Sequence, residues 1–417
     1  MMKLKYGDRE IEYSLTEDKI LDIITASEKE GLADSLAEVK RSIDNSLGTP
    51  PLNKLVAEEK PKNIAIIVND ISRPTPYNYM LPPLLAELDN AGIKKEQITF
   101  YIATGIHDPH TKEQDIEIFG EELVNSYRFV SHEADKDLVY KGELSSGNKF
   151  YVNRKVDEAD FIILTGVILP HYFAGFSGGR KSILPGVSGR ETIEFNHSRM
   201  VDLMGHLPDI KENPVSLEMM EAARKMNVKY ILNVVTNSKR DIVKVVAGDL
   251  EEAWYAGIDA SAAMYHVGIE SKADVTIVSP GGYPRDINVY QTQKALDHAD
   301  HATKDGGTII LLAECRAGLG EEIFADWMKE AEEPADNVKR IKEKFILGGH
   351  KAFAISKVAQ NKEIILISAL SEETTEMLFA KKIATLADAL DYVEKKYEGN
   401  YKAIIMPQGS LTVPVIE

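Results

Sequence analysis

The chain has 417 residues, more than one hydrophobic core usually supports, so two domains are expected. Its formal net charge of -17 offers no basic field to nucleic acid or anionic lipid, which argues against both as partners. One cysteine, Cys315, permits no intrachain disulfide, which fits a reducing compartment. The first residues contain no apolar signal core, and no apolar run is long enough to span a membrane. These features predict a cytoplasmic protein.

Short apolar runs alternate with amphipathic stretches along the chain. A small hairpin is predicted first, at residues 3–6 and 11–15. Buried strands are then predicted at 63–69, 98–103, 160–165, 230–235, 274–279, 307–312, 363–368 and 401–406. Helices between them are predicted at 79–91, 215–226, 251–264, 288–303, 337–345 and 386–397. Strands that are apolar throughout and alternate with helices indicate parallel sheets covered on both faces. The predicted fold class is α/β, with two doubly wound, mainly parallel-sheet domains and a cleft between them.

The domain boundary is predicted near residues 266–272, where a helix ends and the strand pattern restarts. An N-terminal α/β domain, expected to bind a cofactor, is assigned to residues 1–268. A C-terminal α/β domain is assigned to residues 269–400. The sequence leaves open whether residues 401–417 rejoin the first domain.

Chemically active side chains follow several predicted strands. In doubly wound sheets, ligands bind beyond the carboxyl ends of strands, where loops converge and helix N-termini point their positive ends. Three strands of the first domain are followed in this way by Asp70 with Arg73, by His107, and by His171 with Lys181. A strand of the second domain leads into a helix that carries Tyr290, Gln291 and Lys294. One crevice between the domains is expected to collect them.

Each of these residues also has a structural interpretation. Arg73 is either a solvated turn residue or a guanidinium fork for a carboxylate or phosphate. Asp70 either orients Arg73 or caps the turn. A single loop histidine is usually structural, but His107 and His171 follow equivalent strand ends, which favours proton transfer.

A glycine-dense turn, Ser177-Gly178-Gly179, directly precedes Arg180 and Lys181. The turn matches neither the Walker loop nor the dinucleotide motif, and alone it is weak evidence for a ligand. With two cations after it, its backbone N–H groups suit a phosphate. Lys181 is then either the counter-charge of that phosphate or a desolvated amine that forms a covalent bond.

His197 lies in a helix predicted to begin near residue 190. An isolated helical histidine is usually structural, but near Lys181 and a sulfur- or nitrogen-rich cofactor its imidazole suits a borderline metal such as nickel. Cys315 is interpreted as buried packing rather than a metal ligand. His110 and Arg285 are either additional site residues or solvated loop residues.

Several stretches together resemble the nickel-dependent lactate racemase family. They are HYFAGFSGGRKSILPG at 171–186, Asn196-His197, ATGIH at 103–107 and GGYPRDINVYQ at 281–291. The likeness extends from residue 69 to residue 294. Members of the family are 2-hydroxyacid racemases and epimerases that use a nickel-pincer nucleotide. This cofactor is pyridinium-3-thioamide-5-thiocarboxylic acid mononucleotide nickel, and separate biosynthetic enzymes supply it.

The resemblance implies a role for each candidate residue. Lys181 would form the covalent thioamide link to the nucleotide, and His197 would complete the nickel coordination. His107 and His171 would be the paired acid and base. The resemblance further implies that Arg73, Tyr290, Gln291 and Lys294 bind the substrate, that Asp70 supports Arg73 or the nucleotide, and that Ser177, Gly178, Gly179 and Arg180 surround the phosphate.

The implied reaction inverts C2 of a 2-hydroxy acid by reversible hydride transfer. Loss of the α-hydrogen as a proton would place a carbanion beside the carboxylate, whereas loss as hydride gives a neutral carbonyl. One histidine takes the hydroxyl proton while the hydride leaves, and return of the hydride to the other face inverts the centre.

The substrate is left open by one departure from the family pattern. Lactate-specific members carry a tryptophan in the segment corresponding roughly to 345–352, where this chain has glycines, His350 and Lys351. Lactate, malate, another short-chain hydroxy acid and a sugar acid all remain candidates. Two alternative functions are also weighed: a zinc-dependent hydrolase or lyase with a site formed by His107, His171 and His197, and a nucleotide-binding or cofactor-storage protein.

Overall fold

The computed structural model describes residues 2–203 and 209–417, and it divides into two compact units. The unit called N-terminal below comprises residues 28–200 and 209–263. The unit called C-terminal comprises residues 2–27, 201–203 and 264–417. Within the described ranges, no helix has the length and apolar character needed to cross a membrane.

The strands recover every strand predicted from the apolar runs, with ends shifted by a few residues. In chain order they are β1 (Met2–Tyr6), β2 (Arg9–Tyr13), β3 (Ile20–Ile23), β4 (Ile64–Asn69), β5 (Ile98–Ala103), β6 (Arg128–Ser131), β7 (Leu138–Glu143), β8 (Lys149–Asn153), β9 (Phe161–Val167), β10 (Pro170–His171), β11 (Gly175–Phe176), β12 (Tyr230–Thr236), β13 (Ile242–Gly248), β14 (His266–Ile269), β15 (Ala273–Val278), β16 (Thr303–Leu312), β17 (Glu363–Ile367), β18 (Ala380–Lys382), β19 (Ala403–Met406) and β20 (Val413–Ile416).

The helices include all of those predicted. They are α1 (Ser35–Asp44), α2 (Leu52–Glu59), α3 (Tyr77–Asn90), α4 (Lys112–Phe119), α5 (Glu121–Ser126), α6 (Arg154–Asp157), α7 (Arg190–Ser198), α8 (Pro214–Lys225), α9 (Glu252–Tyr265), α10 (Val289–Ala302), α11 (Glu322–Glu330), α12 (Pro334–Glu343), α13 (Gly349–Asn361), α14 (Glu372–Met377) and α15 (Leu386–Lys396). Short 3-10 helices cover Glu17–Lys19, Lys95–Gln97, Gly179–Ser182 and Arg199–Leu203.

The N-terminal unit is built on a six-stranded sheet in the order β13-β12-β9-β4-β5-β6. Its strands are parallel except β13, which pairs with β12 in the antiparallel sense. All residues of β9 and β12 are buried, as expected for strands covered on both faces. The adjacency of β9, β4 and β5 brings the loops after these three strands to one edge of the sheet.

The C-terminal unit is built on a second six-stranded sheet, in the order β18-β17-β16-β15-β19-β3, and every pair in it is parallel. Helix α10 follows β15 after the loop 279–288 and begins at Asn288, whose side chain accepts a hydrogen bond from the backbone N–H of Gln291. This cap fixes where the helix bearing Tyr290 and Lys294 starts. The predicted class, two α/β domains with mainly parallel sheets, is confirmed.

The predicted domain limits of 1–268 and 269–400 need correction at both chain ends. Strand β3 pairs with β19, and β19 pairs with β15, so residues near both termini belong to the sheet of the C-terminal unit. Leu4, Tyr6 and Tyr13 of the predicted hairpin are buried in the same core as Val275. Burial of these side chains draws residues 2–27 into the C-terminal unit, and residues 401–417 remain there rather than rejoining the N-terminal one. The change of unit at 263/264 lies close to the predicted boundary.

Candidate active site

The loops after β4 and β5 bring Asp70 and His107 into direct contact in the N-terminal unit. His107 Nδ1 lies 2.6 Å from Asp70 Oδ2, and the Ser72 hydroxyl donates to Asp70 Oδ1 at 2.7 Å. The Asp70 side chain is 6% exposed, whereas that of His107 is 42% exposed. Burial acts to raise the pKa of Asp70, but the hydrogen bonds from His107 and Ser72 outweigh it and hold the pKa below its ordinary value. An ionised Asp70 therefore orients the imidazole of His107.

This contact changes the predicted role of Asp70. The guanidinium of Arg73 bonds instead to the carbonyl and hydroxyl oxygens of Ser72, at 3.1 and 3.3 Å. Only the backbone N–H of Arg73 bonds to Asp70, through its carbonyl oxygen at 3.0 Å. Arg73 is exposed, and its charge lowers the pKa of Lys181, so the two cations lie close enough to interact.

Phe173 gathers three of the predicted residues around its ring. The His171 ring packs edge-on against it with centroids 4.5 Å apart, and the His197 ring does so at 4.9 Å. Lys181 Nζ lies 5.5 Å from the centroid of the same ring. The loop after β9 supplies His171 and Lys181, and helix α7 supplies His197. Sequence reasoning did not select Phe173, although it lies within the quoted motif.

Both Lys181 and His197 are held toward their neutral forms. Burial lowers the pKa of Lys181 well below its ordinary value, and the charges of Arg73 and Arg180 lower it further. Burial also lowers the pKa of His197 to about 3, with the charge of Lys181 as a second cause. A neutral amine is the nucleophilic form of lysine, and a neutral imidazole is the metal-binding form of histidine.

The glycine turn 177–179, predicted to surround a phosphate, is partly buried and is held by hydrogen bonds within the N-terminal unit. Gly179 N–H donates to Asn233 Oδ1 at 2.7 Å, and the Ser177 hydroxyl donates to the Val167 carbonyl at 2.8 Å. Gly178 has φ of +73°, and a Cβ there would lie 2.6 Å from Ile168 Cγ1, so only glycine fits. These two groups hold the turn against its own sheet.

Arg180 is also internal and is not a phosphate ligand. The residue is fully buried, and its guanidinium donates to the carbonyls of Ala174 and Phe176 and to the Ser216 hydroxyl. Its Cζ lies 3.7 Å from the ring centroid of Trp254. Arg180 therefore fastens the loop that carries His171 to the turn that carries Lys181. The inward orientation of the Arg180 side chain could not be predicted from the sequence, which shows only two adjacent cations.

Trp254 supports this turn from helix α9, and its removal should destabilise the N-terminal unit. The indole is fully buried, stacks on Arg180 and donates from Nε1 to the Ser177 carbonyl at 3.0 Å. Trp254→Ala is expected to lower the free energy of unfolding by about 3–5 kcal/mol, because a large cavity opens and a carbonyl loses its donor. Urea unfolding measures the loss. Trp254→Phe keeps a ring against Arg180 and should lose less, and a loss below about 1 kcal/mol in the alanine variant would contradict this support.

A buried carboxylate on α8 fixes the helix that carries His197. Glu218 accepts hydrogen bonds from Asn196 Nδ2 at 2.6 Å and from Asn148 Nδ2 at 3.2 Å, and Arg199 Nη1 lies 3.5 Å away. Because Asn196 and Arg199 lie on either side of His197 in the chain, α7 is held close to the imidazole. The sequence signal for this support is the asparagine directly before His197.

The C-terminal unit carries the other predicted substrate residues on α10. Tyr290 and Lys294 lie one turn apart and are partly buried, and Gln291 between them is exposed. From α13, Lys351 Nζ lies 5.4 Å from the Tyr290 ring centroid, and the His350 ring lies 6.3 Å from it. The unassigned residues His350 and Lys351 thus contact a residue that was assigned to substrate binding.

The other unassigned side chains have structural positions. His110 Nε2 accepts from the backbone N–H of Ile71 at 3.0 Å, and its Nδ1 lies 3.0 Å from Asp115 Oδ1, so this ring braces the loop after β4. Arg285 lies in the turn after β15, where its backbone N–H donates to the Gly282 carbonyl. Burial raises the pKa of Cys315 to about 12, which keeps the thiol protonated and agrees with a packing role.

The three-histidine zinc site of the alternative hydrolase is not assembled. Among the described residues, which include His107, His171 and His197, no group of three or more histidine, cysteine, aspartate or glutamate side chains is arranged to hold a metal. The residues around Phe173 fit a different arrangement. A neutral, partly buried amine beside a neutral buried imidazole suits a cofactor that is attached covalently and brings further metal ligands of its own.

Comparison with known proteins finds relatives that cover nearly the whole chain. Residues 6–205 match the family model for the lactate racemase N-terminal domain, and residues 269–415 match the model for the lactate racemase C-terminal domain. The lactate racemase of Thermoanaerobacterium thermosaccharolyticum is 34% identical, with 98% of this chain and 97% of that protein covered. The lactate racemase of Lactiplantibacillus plantarum is 34% identical over 89% of each chain.

Solved structures show the same architecture. The lactate racemase apoprotein from T. thermosaccharolyticum superposes with a TM-score of 0.90 at 33% identity, covering 99% of both chains. A Thermotoga maritima protein at 17% identity shares the fold, with a TM-score of 0.62 over 92% of this chain and 98% of that one.

The fold and the comparisons define an isomerase of the racemase class. The chain belongs to the lactate racemase family. The family is known for a nickel cofactor, so membership implies nickel dependence.

Proposed function

We propose that this protein is a 2-hydroxyacid racemase or epimerase that inverts C2 by reversible hydride transfer. The observation that carries the proposal is the grouping of Lys181, His171 and His197 around Phe173, in a chain of the lactate racemase family. Its substrate is a small hydroxy acid, as the names of its relatives suggest.

The nickel-pincer nucleotide is the cofactor we assign to this group of residues. Lys181 would hold it covalently through the amine that burial keeps nucleophilic, and His197 would bind nickel through its neutral imidazole. When bound, this group supplies an electrophilic centre that takes a hydride from C2 and returns it. The turn 177–180 would hold Lys181 in position, because hydrogen bonds from Ser177, Gly179 and Arg180 fix the turn within the N-terminal unit.

His107 and His171 would move the hydroxyl proton. Asp70 holds Nδ1 of His107, which leaves Nε2 for the substrate hydroxyl. Nδ1 of His171 accepts from the Ala174 backbone N–H at 3.4 Å, so the proton of a neutral His171 ring resides on Nε2. One histidine, neutral at the start, would take the proton as C2 becomes a planar carbonyl. The other, protonated at the start, would return its extra proton when C2 is re-formed with opposite handedness, so the two exchange protonation states in each inversion.

The substrate carboxylate requires cations, and we assign Arg73 and Lys294 to it. Arg73 presents an exposed guanidinium beside the Asp70–His107 pair, which suits a carboxylate fork. Lys294, with Tyr290 and Gln291 on the same end of α10, is proposed to bind the substrate as well. Retention of the ketoacid between the two half-reactions would depend on these contacts.

A panel of enantiopure 2-hydroxy acids tests the proposal. Protein produced together with the cofactor-synthesis enzymes is first checked for nickel content and for a nucleotide-sized mass increase, and is then incubated with each acid. Chiral chromatography is expected to show the opposite C2 enantiomer, or epimer, for at least one acid. Loaded protein that inverts none of them would refute the proposal, and bound zinc without an adduct would favour the hydrolase.

A further inference from the structure

A glutamine of α10 and a lysine of α13 lie side by side in the C-terminal unit. Lys351 Nζ donates to Gln293 Oε1 at 2.6 Å. The same ammonium group lies 5.4 Å from the ring centroid of Tyr290, one turn of helix from Lys294. His350 Nδ1 accepts from the Gly348 backbone N–H at 3.1 Å, which fixes the neighbouring ring as a wall beside Tyr290.

The Gln293 amide has a direction that the lysine determines. An ammonium group can only donate, so Oε1 must face Lys351 and Nε2 must point away from it. Gln293 is 1% exposed, and its Nε2 has no hydrogen-bond partner among the residues that the structure describes. A buried N–H group without an acceptor is unfavourable. The Lys351 ammonium group therefore lies next to an amide N–H group, Gln293 Nε2, that has no hydrogen-bond acceptor among the described residues.

A buried carboxyl group on the same helix does not provide that acceptor. The charge of Lys351 reaches Asp297, which lies one turn further along α10. Burial raises the pKa of Asp297, against the charges of Lys357 and His301 that act to lower it. A carboxyl group shifted in this direction carries less negative charge, and Gln293 Nε2 is not hydrogen-bonded to it.

We propose that Lys351 and Gln293 bind a second carboxylate of the substrate, which makes 2-hydroxy dicarboxylates the preferred substrate class. The inference rests on the proposed function, in which Tyr290 and Lys294 of the same helix end bind the reacting hydroxy acid. A carboxylate can accept from the Lys351 ammonium and from Gln293 Nε2 together. A substrate with only a methyl group at that end leaves the buried amide unsatisfied, and such sites discriminate strongly.

The test compares 2-hydroxybutanedioate with lactate on nickel-loaded protein whose nucleotide adduct has been confirmed by mass. Inversion of each enantiomer is followed by chiral chromatography, and the readout is the ratio of kcat/KM for the dicarboxylate to kcat/KM for lactate. We expect this ratio to exceed about 10 in the wild type, since two charge-assisted contacts serve only the longer acid.

Variants at the two positions assign the preference to this pair. Lys351→Met is expected to lower the ratio about 10- to 100-fold, and Gln293→Leu about 10-fold, while Lys351→Arg keeps a cation with donors and should retain most of the preference. Lys357→Met is the matched control, because it removes a lysine of the same helix whose Nζ lies 4.0 Å from Asp300. Its ratio is expected to equal that of the wild type.

The possible failures are distinguishable. Loaded wild type that inverts lactate but not the dicarboxylate overturns this inference and leaves the proposed function standing. Loaded wild type that inverts no acid in the wider panel overturns both. An unchanged ratio in Lys351→Met also overturns the inference. If that variant does not fold, an unchanged ratio in Gln293→Leu overturns the inference instead.

Discussion

Lys181→Met is expected to abolish cofactor attachment and to reduce racemase activity by about 10³-fold or more, because no other amine contacts the Phe173 ring beside His197 in the described part of the chain. Intact mass after production with the synthesis enzymes should show the adduct on the wild type and none on the variant. Lys155→Ala, which removes an exposed lysine of α6, should load and turn over normally. An adduct of full yield on Lys181→Met would show that another residue forms the bond.

The same substitution is expected to stabilise the apoprotein. Burial lowers the pKa of Lys181 in the folded state, so at neutral pH the unfolded chain binds more protons at this position. Stability of the wild type should therefore rise with pH until the unfolded amine titrates near about 10.4, and methionine should remove that rise. Urea unfolding at several pH values measures the difference. If the variant loses activity but its unfolding free energy depends on pH as that of the wild type does, Lys181 is in a solvated position.

His107→Ala and His171→Ala are each expected to lower kcat by about 10²- to 10⁴-fold if proton transfer limits the reaction, while the adduct and the nickel content remain. Asp70 orients His107, and the Ala174 backbone N–H contacts His171, so each ring is held by its own loop. Added imidazole should restore part of the activity, because it supplies the missing base without repairing structure. Unchanged turnover in either variant would remove that histidine from proton transfer.

Most of the fold could be predicted because a buried strand is indicated by a local run of apolar residues. Each fully apolar run, such as the one that becomes β9, carries its own evidence of a strand covered on both faces. The strand-end rule predicted that the loops with Asp70 and His107 lie at the same edge of the sheet, and the neighbouring positions of β4 and β5 bring these two side chains into a contact that the sequence did not predict. The N-terminal residues were misassigned because pairing of β3 with β19 joins residues almost at opposite ends of the chain, and no local pattern reports such a pair.

The site was less predictable where it depends on the orientation of a side chain. Arg180 and Lys181 are adjacent cations in the sequence, yet one guanidinium faces inward to Trp254 and the other side chain reaches the Phe173 ring. That choice depends on α9, which lies far along the chain and fills the space behind the turn. Glu218 was missed for the same reason, because its hydrogen bonds to Asn148 and Asn196 exist only after α7 and α8 have packed together.

Pairing of β3 with β19 also orders events during synthesis on the ribosome. The N-terminal unit has all of its strands by residue 248, so it can fold while the rest of the chain is still being translated. The sheet of the other unit needs β19 between β15 and β3, and residues 403–406 emerge almost last. The core around Leu4, Tyr6 and Tyr13, which includes Ala403 and Ile405, is therefore complete only when the ribosome has nearly finished, and a premature stop near residue 400 would leave that sheet without the strand that joins its two parts.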